Sequence, residues 1–571
     1  MQKVLLLNLM RMGDLIQTTP LIEALRRRSP EARIDLVYNE AFREVASRMD
    51  ADRLHPFPLR DFGSRAGDGR GTAEACAFLQ EYVSSVNRDG PYDLVFNLTP
   101  SRSAASLASL FRARSRLGMG LEEDGTWLPQ DPWAAYLVAV MSNRRANPFH
   151  LVDIWRRSLG LDGARTLHLR LGAEDAERGR QLLAGCGVRP EKDVLIGLQV
   201  SASQKEKCWS EREFIRLGRA LSQGLGARVL VFGVAAEAPQ CARVAAGVPE
   251  AVNLAGRTDL GSLAACLQAC RLLVTNDTGT LHVATAVATP VLVVSVGPVF
   301  FRETGPYGEG HAVLQAAVPC APCPFDASCQ KPVCKETVRA ELVYGAALQM
   351  LRFGRVLPDG LPASVACYRS GFDQEGLCEF TPCGPAGEEE ERIGLHKRIW
   401  LSLLEGKPLP AAAAGAPGSA GQGLRTEPGL ALLGTLLRRG SQLLDKIAAA
   451  STARQPEPDR IRVYCENLRQ VERDLRGASL AGSELAPFVH YLLLRREAMR
   501  SQTPLAFLGE TRELYRGMWE RLSEPAAIED TRGGKGSCKT RSFAAPSWTR
   551  PDRWARPSSP CPDSCSKAPT T

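Results

Sequence analysis

Val274-Thr-Asn-Asp-Thr-Gly-Thr-Leu-His-Val-Ala-Thr-Ala286 runs from the end of an apolar strand through a tight polar turn into a helix. Strand, short turn and helix in that order form the repeating unit of parallel α/β sheets. The same unit recurs on either side. Residues 194–198, 228–232, 272–275 and 291–296 read as strands, with 211–225, 260–270 and 281–288 as helices between them. Upstream, 4–9, 33–38 and 92–98 read as strands, while 14–28, 102–111 and 149–159 read as helices. Two Rossmann-like, doubly wound α/β domains are therefore expected, facing each other across a cleft at the carboxyl ends of their strands.

The expected divisions are 1–170 for the first domain and 171–350 for the second. Residues 351–429 read as an irregular segment and an Ala/Gly/Pro-rich linker. Beyond it, 430–530 reads as a helical extension, with Leu433, Leu436, Leu437, Leu444 and Ile447 at helical spacing although Gly434 and Gly440 interrupt the pattern. A chain of 571 residues exceeds what one core normally holds, so several units are required. The last stretch, 531–571, is rich in Ser, Pro and Arg and is expected to be disordered. It carries eight Lys/Arg against two Asp, so +6 of the net +8 lies there and the body is close to neutral. That balance argues against a nucleic-acid partner. The apolar run after Met1 is short and meets Arg11 and Asp14, so it reads as a buried strand rather than a leader. No run reaches the roughly 18 to 20 apolar residues of a membrane span, and a cytoplasmic protein is expected. Its 17 cysteines are scattered, and free thiols are the expectation.

Chemistry concentrates at a few turns. Gly279 admits a ligand close to the backbone, and the amides of Thr280 and Leu281 with the helix dipole suit a diphosphate. Asp277 and Thr278 are placed to orient the remainder of that ligand. An ordinary helix start, capped by Asp277 or Thr278 and carrying His282 as a packed residue, remains open. Ser201-Ala-Ser-Gln-Lys-Glu-Lys-Cys-Trp209 leaves a strand on the same sheet edge, with Lys207 as a point cation and Ser201 and Ser203 as donors. Glu237 follows the strand 228–232 and suits a ribose, or equally caps the next helix. In the first domain, Asp14 follows Gly13 at the end of the first strand, a common place for Asp as a helix cap.

Asn276-Asp-Thr-Gly-Thr-Leu-His-Val-Ala284, followed by Thr289-Pro-Val291 and Gly305-Pro-Tyr-Gly308, resembles the signature of glycosyltransferase family 9, the ADP-heptose lipopolysaccharide heptosyltransferases. Lys207 with Trp209 and Met12-Gly-Asp-Leu-Ile16 fit the same pattern, over about residues 1–345. The resemblance implies a GT-B fold with the acceptor on the N-terminal domain and the donor on the C-terminal one. It implies donor contacts at Ser203, Lys207, Glu237, Asp277, Thr278, Gly279 and His282, and Asp14 as the base, with Lys207 assisting departure of the phosphate. No cofactor is implied. Ser210, Ala202 and Asn97 depart from the family's usual residues, which bears on the acceptor and the sugar.

The implied reaction moves a heptose or related sugar from an ADP-sugar to a lipopolysaccharide-core or other cell-surface glycan, with inversion. Such work is compatible with peripheral contact at the inner face of the cytoplasmic membrane. The competing expectation is a catalytically silent sugar-nucleotide-binding module whose helical extension recruits partners. Cys320, Cys323, Cys329 and Cys334 form a candidate metal cluster, although the four-residue gap of the second pair and the proline-rich loop count against it.

Overall fold

The structure is a computed structural model that describes residues 2–530, except 68–70, 89–90, 123, 325–328, 357–360, 408–427, 454, 456, 480–483, 500 and 502. The first sheet contains β1 (Lys3–Asn8), β2 (Arg33–Asn39), β3 (Arg53–Phe57), β4 (Tyr92–Asn97), β5 (Ala113–Leu121) and β6 (Trp127–Pro129). Its order is β3-β2-β1-β4-β5-β6, parallel except for β6. The inner strands are apolar on both faces, as sheets covered by helices on each side require; Val4 to Leu7 are fully buried.

The second sheet contains β7 (Leu195–Gln199), β8 (Arg228–Phe232), β9 (Val252–Asn253), β10 (Leu272–Thr275), β11 (Val291–Ser295), β12 (Ala312–Ala316), β13 (Val365–Phe372) and β14 (Cys378–Pro382). They are ordered β14-β13-β12-β11-β10-β7-β8-β9, with β7 to β12 parallel and the β13–β14 hairpin antiparallel. In each sheet the chain reverses its direction of travel beside the first strand of the domain, at β1/β4 and at β7/β10. Such switch points open a crevice at the carboxyl ends, and the two crevices face each other.

Two expectations need correcting. The span 14–28 is two helices, Met12–Ile16 and Thr19–Arg28, because Pro20 lacks an amide and starts a new helix at its first turn. The segment 351–429 is not irregular throughout. It holds β13, β14 and the helix Glu388–Glu405, so the second sheet extends well past residue 350. The cysteines and Gly371 conceal its period from sequence reading, and the strands gain their place by pairing with β12. The linker residues 408–427 and the tail 531–571 lie outside the described residues.

After β14 the chain returns to the first domain. Trp400, fully buried on the helix Glu388–Glu405, stacks on Phe488 at 4.4 Å and meets Tyr136 edge-on at 4.8 Å. Phe488 belongs to the helix Ala486–Glu497, which packs on Pro132–Val140 of the first domain. Pro428–Thr452, Pro458–Ala478 and Pro504–Asp530 form a bundle around Leu433, Leu437, Val471 and Tyr515. Gly440, which interrupts the helical pattern in sequence, is where the Tyr515 ring lies against the backbone. Trp400→Ala is expected to cost about 3–5 kcal/mol and to expose the extension to protease, read by urea unfolding and limited digestion. Among the described residues, no helix is long and apolar enough to cross a membrane.

Candidate active site

One cleft of about 1690 Å³ lies between the carboxyl edges of the two sheets. Asp14, Ser203, Lys207, Glu237, Asp277, Thr278, Gly279 and His282 all line it. The first domain contributes the turn after β1. There Asn8 donates through Nδ2 to the Asp14 carbonyl at 3.1 Å and to Thr18 Oγ1 at 2.8 Å, which fixes the start of the helix Met12–Ile16. Asp14 Oδ2 accepts the Arg11 amide at 3.2 Å. Burial pushes the Asp14 carboxyl up to about 6; Arg11 opposes this, whereas Asp277 and Glu303 in the facing domain add to it. Asp14 caps its own turn, and its carboxyl of raised pKa also lines the cleft.

The facing wall is assembled from the turns after β7 and β10. Lys207 Nζ and Asp277 Oδ2 are 2.7 Å apart, both with side chains only 10% exposed. What holds these two turns together is Asn276, a fully buried residue that stands in the signature stretch but whose bridging role the sequence does not indicate. Its Nδ2 donates to the carbonyls of Gln199 at 3.3 Å and Val200 at 3.1 Å, and its Oδ1 accepts the Trp209 amide at 2.9 Å. Trp209 is anchored in turn by Nε1 donating to the Val338 carbonyl at 2.7 Å. Asn276→Ala leaves these groups buried and unpaired. The expected result is a loss of about 2 kcal/mol in unfolding free energy and a roughly tenfold higher donor KM, read by denaturation and steady-state kinetics.

Thr278 is the N-cap of the helix Gly279–Ala286, with an extended backbone and no side-chain bond to that helix's amides. Its first turn faces the cleft, and the Met12 side chain of the other domain lies directly over Gly279. The contact is reciprocal: the His282 ring lies over Gly13. Each domain thus seats a side chain on the other's glycine. His282 is 4% exposed, its Nε2 is 3.5 Å from Gln17 Nε2, and burial lowers its pKa to about 4, so the ring is neutral. Ser203 Oγ accepts Arg11 Nη1 at 3.2 Å across the cleft. Glu237 Oε2 accepts the Val234 amide at 2.9 Å, so this carboxylate caps its own turn at the cleft edge. Farther along, Arg144 of the first domain makes a two-pronged pair with Glu303 of the second at 3.0 and 2.7 Å.

Asn97 closes the end of β4 instead of facing the cleft. Its Nδ2 donates to the Met119 carbonyl at 2.8 Å and its Oδ1 accepts the Thr99 amide at 3.0 Å. Ser210 is the N-cap of the helix Glu211–Leu225. Of the candidate metal cluster, Cys334 packs into the apolar core, Cys320 and Cys329 are exposed, and Cys323 is half-buried; all are free thiols. Among the described residues no group of three or more His, Cys, Asp or Glu side chains is placed to hold a metal.

Residues 87–333, which contain the whole facing wall of this cleft, match the profile described as glycosyltransferase family 9 (heptosyltransferase). Over that stretch the chain is similar to glycosyltransferase family 9. It is 28% identical over 293 residues to lipopolysaccharide heptosyltransferase 3 of Escherichia coli K12, which spans 49% of this chain and 78% of that protein. It is 29% identical over 329 residues to lipopolysaccharide heptosyltransferase 1 of Pseudomonas aeruginosa, spanning 56% and 86% respectively. A family 9 glycosyltransferase from Veillonella parvula superimposes with a TM-score of 0.51 at 23% identity, over 61% of this chain and 97% of the other. The fold is GT-B, and the chain is a glycosyltransferase. Asp14 lies upstream of the profile match, so its place opposite Lys207 and Asp277 rests on the geometry of the cleft.

Proposed function

We propose that this enzyme transfers a heptose, or a closely related sugar, from an ADP-sugar to a lipopolysaccharide-core or similar cell-surface glycan, with inversion. The observation that carries the reading is one cleft with a half-buried carboxyl of raised pKa on one wall and a largely buried Lys–Asp pair beside a helix N-terminus on the other. The names of the relatives, all lipopolysaccharide or lipooligosaccharide heptosyltransferases, support heptose and that acceptor class.

The acceptor hydroxyl attacks the anomeric carbon while the bond from that carbon to the diphosphate oxygen breaks. Asp14 takes the hydroxyl proton on the first-domain side. Lys207 and the amides at the start of Gly279–Ala286 meet the charge that develops on the leaving diphosphate. Attack from the wall opposite the leaving group inverts the carbon. Thr278 and Asp277 contact the donor, Ser203 lies at the same edge, Glu237 serves the ribose, and His282 seats the closed domains around it. The acceptor reaches the cleft from the inner face of the cytoplasmic membrane.

The test is release of ADP from ADP-heptose by the purified chain, with and without a heptose-deficient core acceptor. Acceptor-dependent release that disappears in Asp14→Ala supports the proposal. Tight ADP-heptose binding without release under any acceptor overturns it in favour of a silent binding module.

A further inference from the structure

Away from the cleft, two cysteines stand opposite each other on the edge hairpin of the second sheet. Cys367 lies within β13, and Cys383 continues the register of β14, in which Tyr368 is opposite Pro382. The Cys383 amide donates to the Cys367 carbonyl at 2.8 Å, and the two Sγ atoms are 2.9 Å apart. Cys367 is 6% exposed, whereas Cys383 is half-buried and open on one side. The hydrogen bond from Cys367, and then Arg369, hold the Cys383 thiol below its ordinary pKa, while the Cys367 thiol is pushed up by the same contact and by burial. One sulfur is therefore reachable and nucleophilic. The other is sheltered and within reach of it.

The hairpin is a strut between the domains. Its turn docks on the helix Leu151–Ser158: the Cys378 amide donates to Asp153 Oδ2 at 2.6 Å, Arg156 Nη2 to the Gly376 carbonyl at 3.0 Å, and Arg157 Nη2 to the Glu375 carbonyl at 2.6 Å. The same helix sets Leu151 and Trp155 in the wall of the cleft.

We propose that Cys367 and Cys383 are a reversible dithiol–disulfide pair, oxidised by exchange with a small-molecule disulfide, that staples this interdomain strut. The Cys383 thiolate attacks one sulfur of the small disulfide, forms a mixed disulfide and releases one thiol. Cys367 gives up its proton, attacks Cys383 Sγ and expels the second thiol. Two protein thiols are oxidised and one external disulfide is reduced to two thiols. A disulfide needs about 2.05 Å between sulfurs, so closure asks for a shift of under about 1 Å. Neighbouring β12 is held on the far side of β13, which leaves the hairpin backbone in place as the bond forms.

The full chain is incubated with glutathione disulfide, quenched in acid, alkylated and mapped without reduction. The expected result is a Cys367–Cys383 cross-linked peptide, with a loss of about 2 Da relative to two free thiols. Dithiothreitol reverses it, and the oxidised chain unfolds at a midpoint roughly 5 °C higher. Cys367→Ser, which lacks the resolving sulfur, accumulates the glutathione adduct on Cys383 instead. Two separately alkylated cysteines, a glutathione adduct that persists on Cys383 of the unaltered chain, or linkage of either sulfur to another cysteine overturns the proposal.

Discussion

Asp14→Asn is expected to lower turnover by about 10²- to 10⁴-fold while donor KM changes by less than about threefold. The substitution keeps size and can still accept the Arg11 amide, so the turn after β1 is preserved. What it removes is the proposed proton acceptor, opposite the wall proposed to hold the donor. The pH dependence follows from the raised acidity constant. A base must be ionised, and Asp14 ionises near pH 6 instead of near its ordinary 3.8. In the unaltered enzyme kcat/KM should therefore rise about tenfold per pH unit below 6 and level off above it, and the residual activity of Asp14→Asn should lack that limb. Stability should move the other way. A carboxyl whose folded pKa is raised contributes fully below its unfolded value and loses that contribution as pH climbs through about 6. Asp14→Asn escapes this cost, so at pH 8 it should be more stable than the unaltered chain by about 1–2 kcal/mol, with the gain fading below about pH 4. A variant that loses activity and stability together at pH 8 marks Asp14 as a helix cap only.

The elements that line the cleft were visible in the sequence because they obey local rules. An apolar run, a glycine turn and a helical period mark strand, turn and helix, and a parallel sheet then puts every such turn at one edge. That is why Asp14, Lys207 and Asp277, separated by most of the two domains, were readable as neighbours of one cleft. The role of Asn276 was not, although it stands in the same motif, because its importance lies in bonds to carbonyls some 75 residues away, and no spacing encodes them. The same holds for Gly13 under His282 and Gly279 under Met12, which acquire meaning only when the domains meet. Local rules also misled. Pro20 and Thr18 divide what the apolar period alone joins into one helix. The hairpin of β13 and β14 is built of Cys, Tyr, Ser and Gly as much as of Val and Phe, and it becomes a pair of strands by adding antiparallel to an edge that the parallel strands leave open.

The buried pair on the facing wall makes an asymmetric prediction. Lys207→Ala is expected to lower kcat/KM by about 10³-fold, since on the proposed mechanism it removes the cation that meets the leaving diphosphate, and it leaves Asp277 without its partner at 2.7 Å. Asp277→Ala should be milder, about 10-fold to 10²-fold, because Lys207 remains to meet phosphate. The informative variant is the double one. In Lys207→Ala the carboxylate of Asp277, only 10% exposed, stands beside the start of the helix Gly279–Ala286 and repels the diphosphate that this helix attracts. Removing it as well takes away the repulsion. The double variant should therefore bind ADP several-fold more tightly than Lys207→Ala alone, as measured by titration calorimetry, although its turnover stays as low as that of the single lysine variant. If the second substitution weakens ADP binding further, Asp277 contributes attraction of its own, and Lys207 is not what makes its charge tolerable beside a diphosphate.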